Sequence, residues 1–207
     1  MNEWAYRRVS GTEGYAENAD LLAVQYESIS FDETHRDLLP LFPKVPCRVL
    51  DVGAGTGRDA AALAAMGHDV VAVEPTLELR RHGQRLHRSV SIVWVDDSLP
   101  DLNMMQARSG LFDLVLLTAV LMHLDADQRR RAIRRISGLL RDGGLLALSL
   151  RHGPVPTGRR MFDVAAAEIR ALALDVGLEA IHQVEREDML GRPDIRWSFL
   201  ALRKVVG

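Results

Sequence analysis

Three glycines alternate with other residues directly after the short apolar run of residues 48–51; they are Gly53, Gly55 and Gly57. Glycine at such positions lets the backbone turn sharply and approach a ligand where any Cβ would clash. The segment also leads into a helix N-terminus, which is a favourable place for a ligand group. It therefore predicts a site for a nucleotide-like ligand, at the carboxyl ends of the strands of an open α/β sheet.

Two acids narrow the class of ligand. The dinucleotide fingerprint is G-x-G-x-x-G, whereas this loop is G-x-G-x-G and follows directly on Asp51 and Val52. A buried acid at this place would repel a diphosphate, but it suits a ligand with a cationic amino group. Glu74 closes the second apolar run, where it is positioned to accept both hydroxyls of a ribose. The absence of a Gly-Lys-Ser/Thr sequence here excludes a Walker phosphate loop.

Apolar runs and amphipathic segments alternate from residue 47 onward, and this alternation predicts the elements that position the acids. The expected strands are residues 48–51, 70–73, 91–95, 112–118, 145–150, 178–184 and 197–202. The expected helices are residues 59–66, 76–87, 125–140 and 162–176, the third ended by Asp142-Gly143-Gly144. The last two strands leave no room for a crossover helix, so they should pair antiparallel. The fold class is therefore α/β: a Rossmann-like doubly wound sheet of seven strands, mostly parallel, with a C-terminal antiparallel hairpin.

Residues 1–46 precede the alternation and are interpreted as an N-terminal helical cap. Two helices are predicted in it, one around residues 16–26 and one after Ser30, which begins a capping-box pattern. Pro43 and Pro46 end the cap, because closely spaced prolines forbid a helix and favour an extended lead-in to the first strand. The whole chain, residues 1–207, is expected to be a single domain whose core is residues 47–207.

The composition of the 207 residues, with 47% hydrophobic residues and a formal charge of −2, is that of an ordinary globular protein. The longest apolar stretch, residues 114–122, is about half of a bilayer span, and the first residues lack the order of a secretory signal. The lone Cys47 provides neither a disulfide nor a thiolate cluster, so we expect a cytoplasmic protein without a metal site. Arginine-rich runs at residues 80–88 and 129–135 are expected to be solvated helix faces, so nucleic acid is an unlikely partner. The oligomeric state stays open.

The sequence resembles the class I S-adenosylmethionine-dependent methyltransferases, and specifically their small-molecule "type 11" members. The resemblance spans roughly residues 47–150. Residues 49–57 are similar to the first motif of the family, and residues 71–75 to its ribose-binding acid at the second strand. Residues 112–115 are similar to its fourth strand, and residues 141–145 to its loop into the fifth strand.

The resemblance implies that S-adenosyl-L-methionine is the cofactor and that it lies against the three glycines. It places Asp51 near the methionine amino group, Glu74 at the ribose, and Asp97 at the exocyclic amine of the adenine. By similarity to enzymes whose N-terminal segment closes over the cofactor, Tyr26 is placed near the methionine carboxylate. The expected cofactor-binding residues are Tyr26, Asp51, Val52, Gly53, Ala54, Gly55, Gly57, Arg58, Asp59, Glu74, Pro75, Asp96, Asp97, Ser98, Leu99, Thr118, Ala119, Val120 and His123.

The implied reaction is transfer of a methyl group to a small-molecule acceptor by in-line displacement. A sulfonium is already an activated donor, so catalytic side chains are optional; where the acceptor is an oxygen or a protonated amine, His123 is the candidate base. Arg151 and His152 either bind an anionic acceptor or take its proton, or they only fix the breaker-rich loop at residues 153–158. Two alternatives stay open: an RNA- or protein-directed methyltransferase on the same fold, and a non-catalytic S-adenosylmethionine-binding module.

Overall fold

The computed structural model describes residues 9–106 and 111–207. Within them one sheet contains seven strands, which are β1 (Arg48–Val52), β2 (Asp69–Val73), β3 (Ile92–Val95), β4 (Phe112–Thr118), β5 (Leu140–His152), β6 (Leu178–Glu187) and β7 (Arg196–Lys204). Their order is β3-β2-β1-β4-β5-β7-β6. Strands β1 to β5 pair in parallel, whereas β7 pairs antiparallel with both β5 and β6. The predicted fold class, including the antiparallel hairpin, is confirmed.

Helices cover both faces of this sheet. In the described residues they are α1 (Ala19–Glu27), α2 (Phe31–His35), α3 (Arg58–Ala65), α4 (Leu77–Leu86), α5 (Asn103–Gln106), α6 (Ala126–Leu139) and α7 (Ala166–Leu174). One apolar cluster joins the sheet to α6 and α7, and a second joins it to α2 and α3. None of the described helices is long and apolar enough to cross a membrane.

Strand β1 shows why both faces need a cover. Leu50 and Val52 pack into the cluster that contains α6 and α7, whereas Val49 packs into the cluster that contains α3. Successive side chains of a strand point to opposite faces, so an unbroken apolar run exposes hydrophobic surface on both sides of the sheet. Because β1, β2, β4 and β5 run in parallel, the loops that follow them meet at one edge of the sheet.

Local hydrogen bonds set where the helices begin. Asp125 accepts a hydrogen bond from the Gln128 backbone N–H at 2.9 Å, and the Gln128 side chain accepts one from the Asp125 N–H at 2.9 Å. This is the predicted capping box, which satisfies two N–H groups at the start of α6. Ser30 accepts a hydrogen bond from the Glu33 N–H at 3.1 Å, so α2 starts where the sequence places it.

Two element boundaries differ by four residues or more from those predicted. Strand β5 begins at Leu140 rather than at residue 145, because the chain is already extended after α6 and Leu140 pairs with Phe112. Gly143, at φ +75°, therefore lies inside an irregular part of β5 and not in the stop of a helix. Helix α7 begins at Ala166 rather than at residue 162, since the Phe162 N–H is held by the Met122 carbonyl at 2.8 Å.

The N-terminal segment packs against the second apolar cluster. A 3₁₀ turn at Ala16–Asn18 leads into α1, and the predicted second helix is the short α2. Phe31, Leu38 and Phe42 are buried among residues of α3 and the sheet. The division into a cap at residues 1–46 and a core stays a prediction, and two aromatic residues of that cap, Trp4 and Tyr6, lie outside the described residues.

Candidate functional site

A cavity of ≈ 460 Å³ lies at the carboxyl ends of β1, β2, β4 and β5. Its floor consists of the residues that follow these strands, and its roof contains residues 9–12, Tyr15 and Tyr26 of the cap together with Pro156 and Arg159 of the loop after β5. Within the roof, a Cβ on Gly14 would lie 3.0 Å from the Gly158 carbonyl, so the two roof segments touch. The volume is in the range of cavities that hold small ligands.

The glycine loop has the conformation that its sequence predicts. Gly53 and Gly55 have φ of +71° and +57°, a region that other residues rarely adopt. A Cβ on Gly53 would lie 2.6 Å from Val120, and a Cβ on Gly55 would lie 3.4 Å from the Tyr26 ring. The backbone of Gly53 to Gly55 thus lines the cavity beneath Tyr26.

Gly57, one of the expected cofactor-binding residues, lies outside the lining of the cavity. It has φ of +79°, but a Cβ there would lie 2.6 Å from the Trp94 ring on β3, and Gly57 does not line the cavity. This third glycine is required by the packing of the loop against the sheet rather than by contact with a ligand.

Glu74 lies at the end of β2 and lines the cavity, with 4% of its surface exposed. Its Oε2 accepts a hydrogen bond from the Gly55 N–H at 2.8 Å, and its Oε1 accepts one from the Thr76 N–H at 2.7 Å. Burial raises the pKa of Glu74, although these N–H groups and Arg80 oppose the rise. Each carboxylate oxygen accepts about two hydrogen bonds, so both oxygens can also accept one from a ligand.

Asp51 is the buried acid before the glycines. Its side chain lines the cavity at 2% exposure, and its Oδ2 has no hydrogen-bond partner in the described parts of the chain. Burial and, second, the charge of Asp59 raise the pKa of Asp51 well above its usual range. An unpartnered buried carboxylate is costly, so this atom fits a ligand group that donates a hydrogen bond and carries a positive charge.

Arg58 and Asp59 line the cavity, but their polar atoms are used within the protein. Asp59 accepts hydrogen bonds from His35 Nε2 at 2.8 Å, Arg58 Nε at 2.7 Å and the Thr118 hydroxyl at 3.0 Å. Burial alone would raise the pKa of Asp59, but the charges of His35 and Arg58 hold it well below its usual range. Arg58 also donates to the Tyr26 carbonyl at 3.2 Å. These residues fasten the cap to α3.

The two acids after β3 differ in position. Asp96, expected to bind the cofactor, has a side chain that is 68% exposed, pairs with Arg80 at 2.7 Å and does not line the cavity. Asp97 does line the cavity together with Ser98 and Leu99. However, its carboxylate accepts hydrogen bonds from the backbone N–H groups of Ser98 at 2.8 Å and Met104 at 2.7 Å. Asp97 therefore shapes its own loop.

The remaining expected residues also line the cavity: Val52, Ala54, Pro75, Thr118, Ala119 and Val120. Ala119 has φ of +59°, which places the residues after β4 under the roof. The contacts of these residues with a cofactor stay predictions.

His123 lies after β4, and both of its ring nitrogens are engaged. Nδ1 lies 2.9 Å from the Arg160 carbonyl, which can only accept, so Nδ1 carries the proton. Burial lowers the pKa of His123 and raises that of Tyr15, so Nε2 is free of a proton and accepts the Tyr15 O–H at 2.9 Å. Tyr15 covers the ring edge-on, with centroids 5.4 Å apart. The pair forms a proton acceptor at the cavity wall.

The sequence offers no motif for the residues that line the β5 and β7 side of the cavity. They come from the cap, the end of β5, the loop after it, the turn between β6 and β7, and β7 itself, and they include Tyr15, Arg151, Arg159, Asp188, Arg192 and Trp197. Asp188 is paired with Arg192 at 2.7 Å and accepts a hydrogen bond from Trp197 Nε1 at 2.9 Å. Burial alone would raise the pKa of Asp188, but these partners hold it low.

His152, one of the two candidates for binding an acceptor, fixes the loop instead. Its Nδ1 lies 2.8 Å from Asp163, and its Nε2 lies 2.8 Å from the Ser198 hydroxyl. The order Ser-His-Asp resembles that of a hydrolase, but Ser198 is 1% exposed and neither Ser198 nor His152 lines the cavity. Arg151 donates to the Pro154 carbonyl at 2.9 Å and does line the cavity, so for Arg151 both interpretations persist.

Two arginines of the basic runs are buried, contrary to the expectation of solvated faces. Arg80 donates to the Glu74 carbonyl, and Arg129 pairs with Glu168 at 2.7 Å. Both are under a tenth exposed, whereas Arg130 is 60% exposed. Burial requires that their charges be paired, so these two arginines hold loops and are not available to phosphates. Within the described ranges, no three His, Cys, Asp or Glu residues are arranged to hold a metal ion.

Comparisons with known proteins agree with this geometry. Residues 50–148 match a family described as "Methyltransferase domain". The chain is 30% identical to glycine N-methyltransferase of Oryctolagus cuniculus over 148 residues, 60% of this chain and 50% of that protein. It spans about half the length of the curated relatives it matches.

Two solved structures share the fold. Magnesium protoporphyrin IX methyltransferase from Synechocystis PCC 6803, with bound SAM, is 17% identical with a TM-score of 0.66, covering 96% of this chain and 89% of that one. The [4+2]-cyclase SpnF is also 17% identical with a TM-score of 0.69, covering 93% and 95%. At such identities the likeness shows the fold alone, and the second structure shows that the fold is not restricted to one activity.

Proposed function

The chain is a member of the class I S-adenosylmethionine-dependent methyltransferases, and from this premise we propose that it transfers a methyl group from S-adenosyl-L-methionine to a small-molecule acceptor. The family, the enzyme class and the cofactor are those that the sequence predicts. What we propose is that this particular chain is active and that its acceptor is a small molecule.

The observation that carries the proposal is the unpartnered Oδ2 of Asp51 in the cavity floor. The ammonium group of the methionine part would donate a hydrogen bond to this oxygen, and its positive charge would pair with the carboxylate. Glu74 would accept the ribose hydroxyls with the second lone pairs of its oxygens. Gly53 and Gly55 bring the backbone to the cavity wall, and a side chain on Gly55 would extend toward Tyr26. S-adenosylmethionine itself supplies an electrophilic methyl group on a sulfonium.

Tyr15 and His123 are the residues that we propose to handle the proton of the acceptor. The Tyr15 hydroxyl donates to His123 Nε2, and its oxygen retains lone pairs that can accept from an acceptor O–H or N–H. As that proton reaches the Tyr15 oxygen, the phenolic proton passes to His123 Nε2. His123 thus acts as the base through Tyr15 and not by direct contact.

The roof supports a small acceptor over a polymer. Tyr15, Tyr26 and Arg159 cover the cavity, and the Arg159 guanidinium lies 3.6 Å from the Tyr15 ring centroid. An RNA or a protein would have to insert one flexible group beneath this cover. The covering also excludes water from the reacting groups, which favours transfer to the bound acceptor.

Isothermal titration with S-adenosylmethionine, S-adenosylhomocysteine and NAD tests the proposal. We expect micromolar dissociation constants for the two sulfur compounds and no binding of NAD. Absence of binding of both sulfur compounds would overturn the cofactor assignment. Binding without any release of S-adenosylhomocysteine across an acceptor panel would favour the non-catalytic module. Salt-dependent binding of RNA or a protein substrate would favour the polymer-directed enzyme.

A further inference from the structure

We propose that the acceptor carries a carboxylate on an apolar body, and that Arg159 and Arg151 bind this carboxylate in the β5 and β7 side of the cavity. The inference rests on the proposed function, because it names the class of acceptor for the same site. It is carried by two cavity-lining guanidinium groups that have no acid partner among the described residues.

Arg159 is held from one side and open on the other. Its guanidinium lies over the Tyr15 ring, 3.6 Å from the centroid, and its side-chain hydrogen bond in the described ranges is a long one of 3.5 Å to the Glu13 carbonyl. A guanidinium presents five N–H donors in a plane, so most of the donors of Arg159 are unused. Stacking on Tyr15 fixes this plane at the cavity wall.

Arg151 provides a second positive charge at the end of β5. It donates to the Pro154 carbonyl at 2.9 Å and the Gly153 carbonyl at 3.5 Å, and neither acceptor carries a charge. The acid of this region, Asp188, is already occupied by Arg192 and Trp197. Burial first and the charge of Arg192 second lower the pKa of Arg151, and the opposing charge of Asp188 does not outweigh them.

The balance of charge in this part of the cavity is therefore positive. Three arginines, Arg151, Arg159 and Arg192, face one carboxylate, Asp188. Two partly desolvated cations without a partner are unfavourable, and a bound anion relieves this cost. A planar carboxylate matches the donor geometry of guanidinium groups. Met161, Met189 and Trp197 supply an apolar surface beside them, which suits the rest of an aromatic or aliphatic acid.

The order of strands separates these arginines from the cofactor side. Asp51 is on β1, Arg151 is on β5, and β4 lies between the two strands. The spacing of neighbouring strands is about 4.8 Å, so the two sites are about 10 Å apart across the sheet. His123, after β4, lies between them with Tyr15. An acceptor held by Arg151 and Arg159 thus meets the proton acceptor next to the expected position of the methyl group.

The first test compares benzoate with benzamide, which have the same ring but differ in charge, as ligands of the complex with S-adenosylhomocysteine. We expect benzoate to bind at least about tenfold more tightly. Arg159→Gln and Arg151→Gln should each reduce this preference severalfold, whereas Arg130→Gln, an exposed residue of α6, should leave it unchanged. Equal affinity for the two probes, or a preference that survives both substitutions, would overturn the inference.

Two further arms separate other sources of the same signal. The cofactor has a carboxylate of its own, so Arg159→Gln is also titrated with S-adenosylhomocysteine and with 5′-methylthioadenosine, which lacks the amino-acid part. We expect the ratio of the dissociation constant of 5′-methylthioadenosine to that of S-adenosylhomocysteine to stay at the wild-type value; a fall of about tenfold in this ratio would assign Arg159 to the cofactor and overturn the inference. Inorganic phosphate should bind to this site more weakly than benzoate. Tighter binding of phosphate would indicate an acceptor with a phosphate group and would overturn the inference of a carboxylate.

These outcomes are distinct from failure of the proposed function. Loss of S-adenosylhomocysteine binding in the wild-type protein would contradict the cofactor assignment, whereas benzoate and benzamide can still be compared in the protein alone. If the protein methylates neutral esters but not the corresponding acids, the proposed function stands and the inference of a carboxylate on the acceptor is overturned.

Discussion

The two halves of the cavity are built in opposite ways. The half at β1 and β2 consists of backbone from one short segment, Gly53 to Gly55, and of two acids, Asp51 and Glu74. The half at β5 and β7 consists of side chains from the cap, the loop after β5 and the turn before β7, among them Arg151 and Arg159. The first half is acidic and fits a cationic, hydroxylated ligand; the second is basic and fits an anion.

This difference explains how proteins with one fold can bind the same cofactor and yet act on different acceptors. The first half depends on strand ends and left-handed backbone, which few substitutions leave intact. The second half depends on loop side chains, which can vary without disturbing the sheet. A measurement that reports on one half and not the other therefore tests whether the halves are independent.

The largest effect is expected from filling the first half. Gly55→Val should abolish S-adenosylmethionine binding, a loss of at least about 100-fold in affinity, because the side chain would meet Tyr26 and occupy ligand space. Gly177→Val is the matched control: Gly177 also has a left-handed φ, of +75°, but has open space around it. Calorimetric titration of both folded variants is the measurement. Retained binding in Gly55→Val would show that the loop is misplaced.

The boundary between the halves is tested by Tyr15→Phe, which removes the hydroxyl bound to His123. We expect turnover to fall about 100-fold while the dissociation constant of S-adenosylmethionine stays within about twofold. Initial rates with an acceptor that has an O–H or N–H group measure this. An equal loss in rate and in cofactor affinity would instead make Tyr15 a structural part of the roof.

The same pair predicts a dependence on pH. Burial lowers the pKa of His123, so the neutral base is present down to a pH below the usual value of about 6.5. Activity of the wild-type protein should fall as the pH drops through that lowered pKa, because protonated Nε2 cannot accept. The acid limb should be absent from the residual activity of His123→Asn.

A smaller effect is expected at the ribose acid. Glu74→Ala should weaken S-adenosylmethionine binding by about 2 kcal/mol, or about 30-fold, because it removes a charged hydrogen-bond acceptor. Asp96→Ala, a change of a neighbouring acid that lies outside the cavity, should leave the dissociation constant unchanged. Titration of the two variants decides between ligand contact and general charge. An unchanged constant in Glu74→Ala would remove Glu74 from the site.

The smallest effect concerns stability. Asp51 has a folded-state pKa above its unfolded value of about 3.9, so folding favours the protonated acid and stability is lost as the pH rises through the raised pKa. Asp51→Asn should therefore raise the melting temperature of the ligand-free protein by about 4 °C at pH 7, and by less at pH 4. It should also weaken cofactor binding. A lower melting temperature would show that Asp51 is not an unpaired charge.

The sequence predicts the first half well because its signal is local. Strand β1, the glycine loop and Glu74 are separated by few residues, and the physical demand for glycine at positive φ is visible in the letters alone. The two expected residues that lie outside the cavity, Gly57 and Asp96, are close in sequence to expected residues that line it. Gly57 packs against Trp94, and Asp96 pairs with Arg80. The spacing of residues in the sequence does not reveal these two contacts.

Apart from Arg151, the residues of the second half could not be predicted from the sequence, because they meet only through the fold. Tyr15 and His123 are 108 positions apart, and Arg159 reaches Tyr15 from a loop without regular structure. The burial of Arg80 and Arg129 has the same origin, since a helical pattern cannot tell which arginine turns toward a loop carbonyl. Long-range contacts of this kind carry no periodicity that a single sequence could show.

Arg58 and Asp59 are neighbours in the chain, but they hold different parts of the cap: Arg58 holds the carbonyl of Tyr26, and Asp59 holds His35. Both extend from the first turn of α3, which begins where the glycine loop ends. The folded conformations of the cap and of the glycine loop are consequently coupled: each stabilises the other by the same free energy. If attachment of the cap increases the affinity for a ligand, binding of that ligand must stabilise the attached cap against local unfolding by the same free energy.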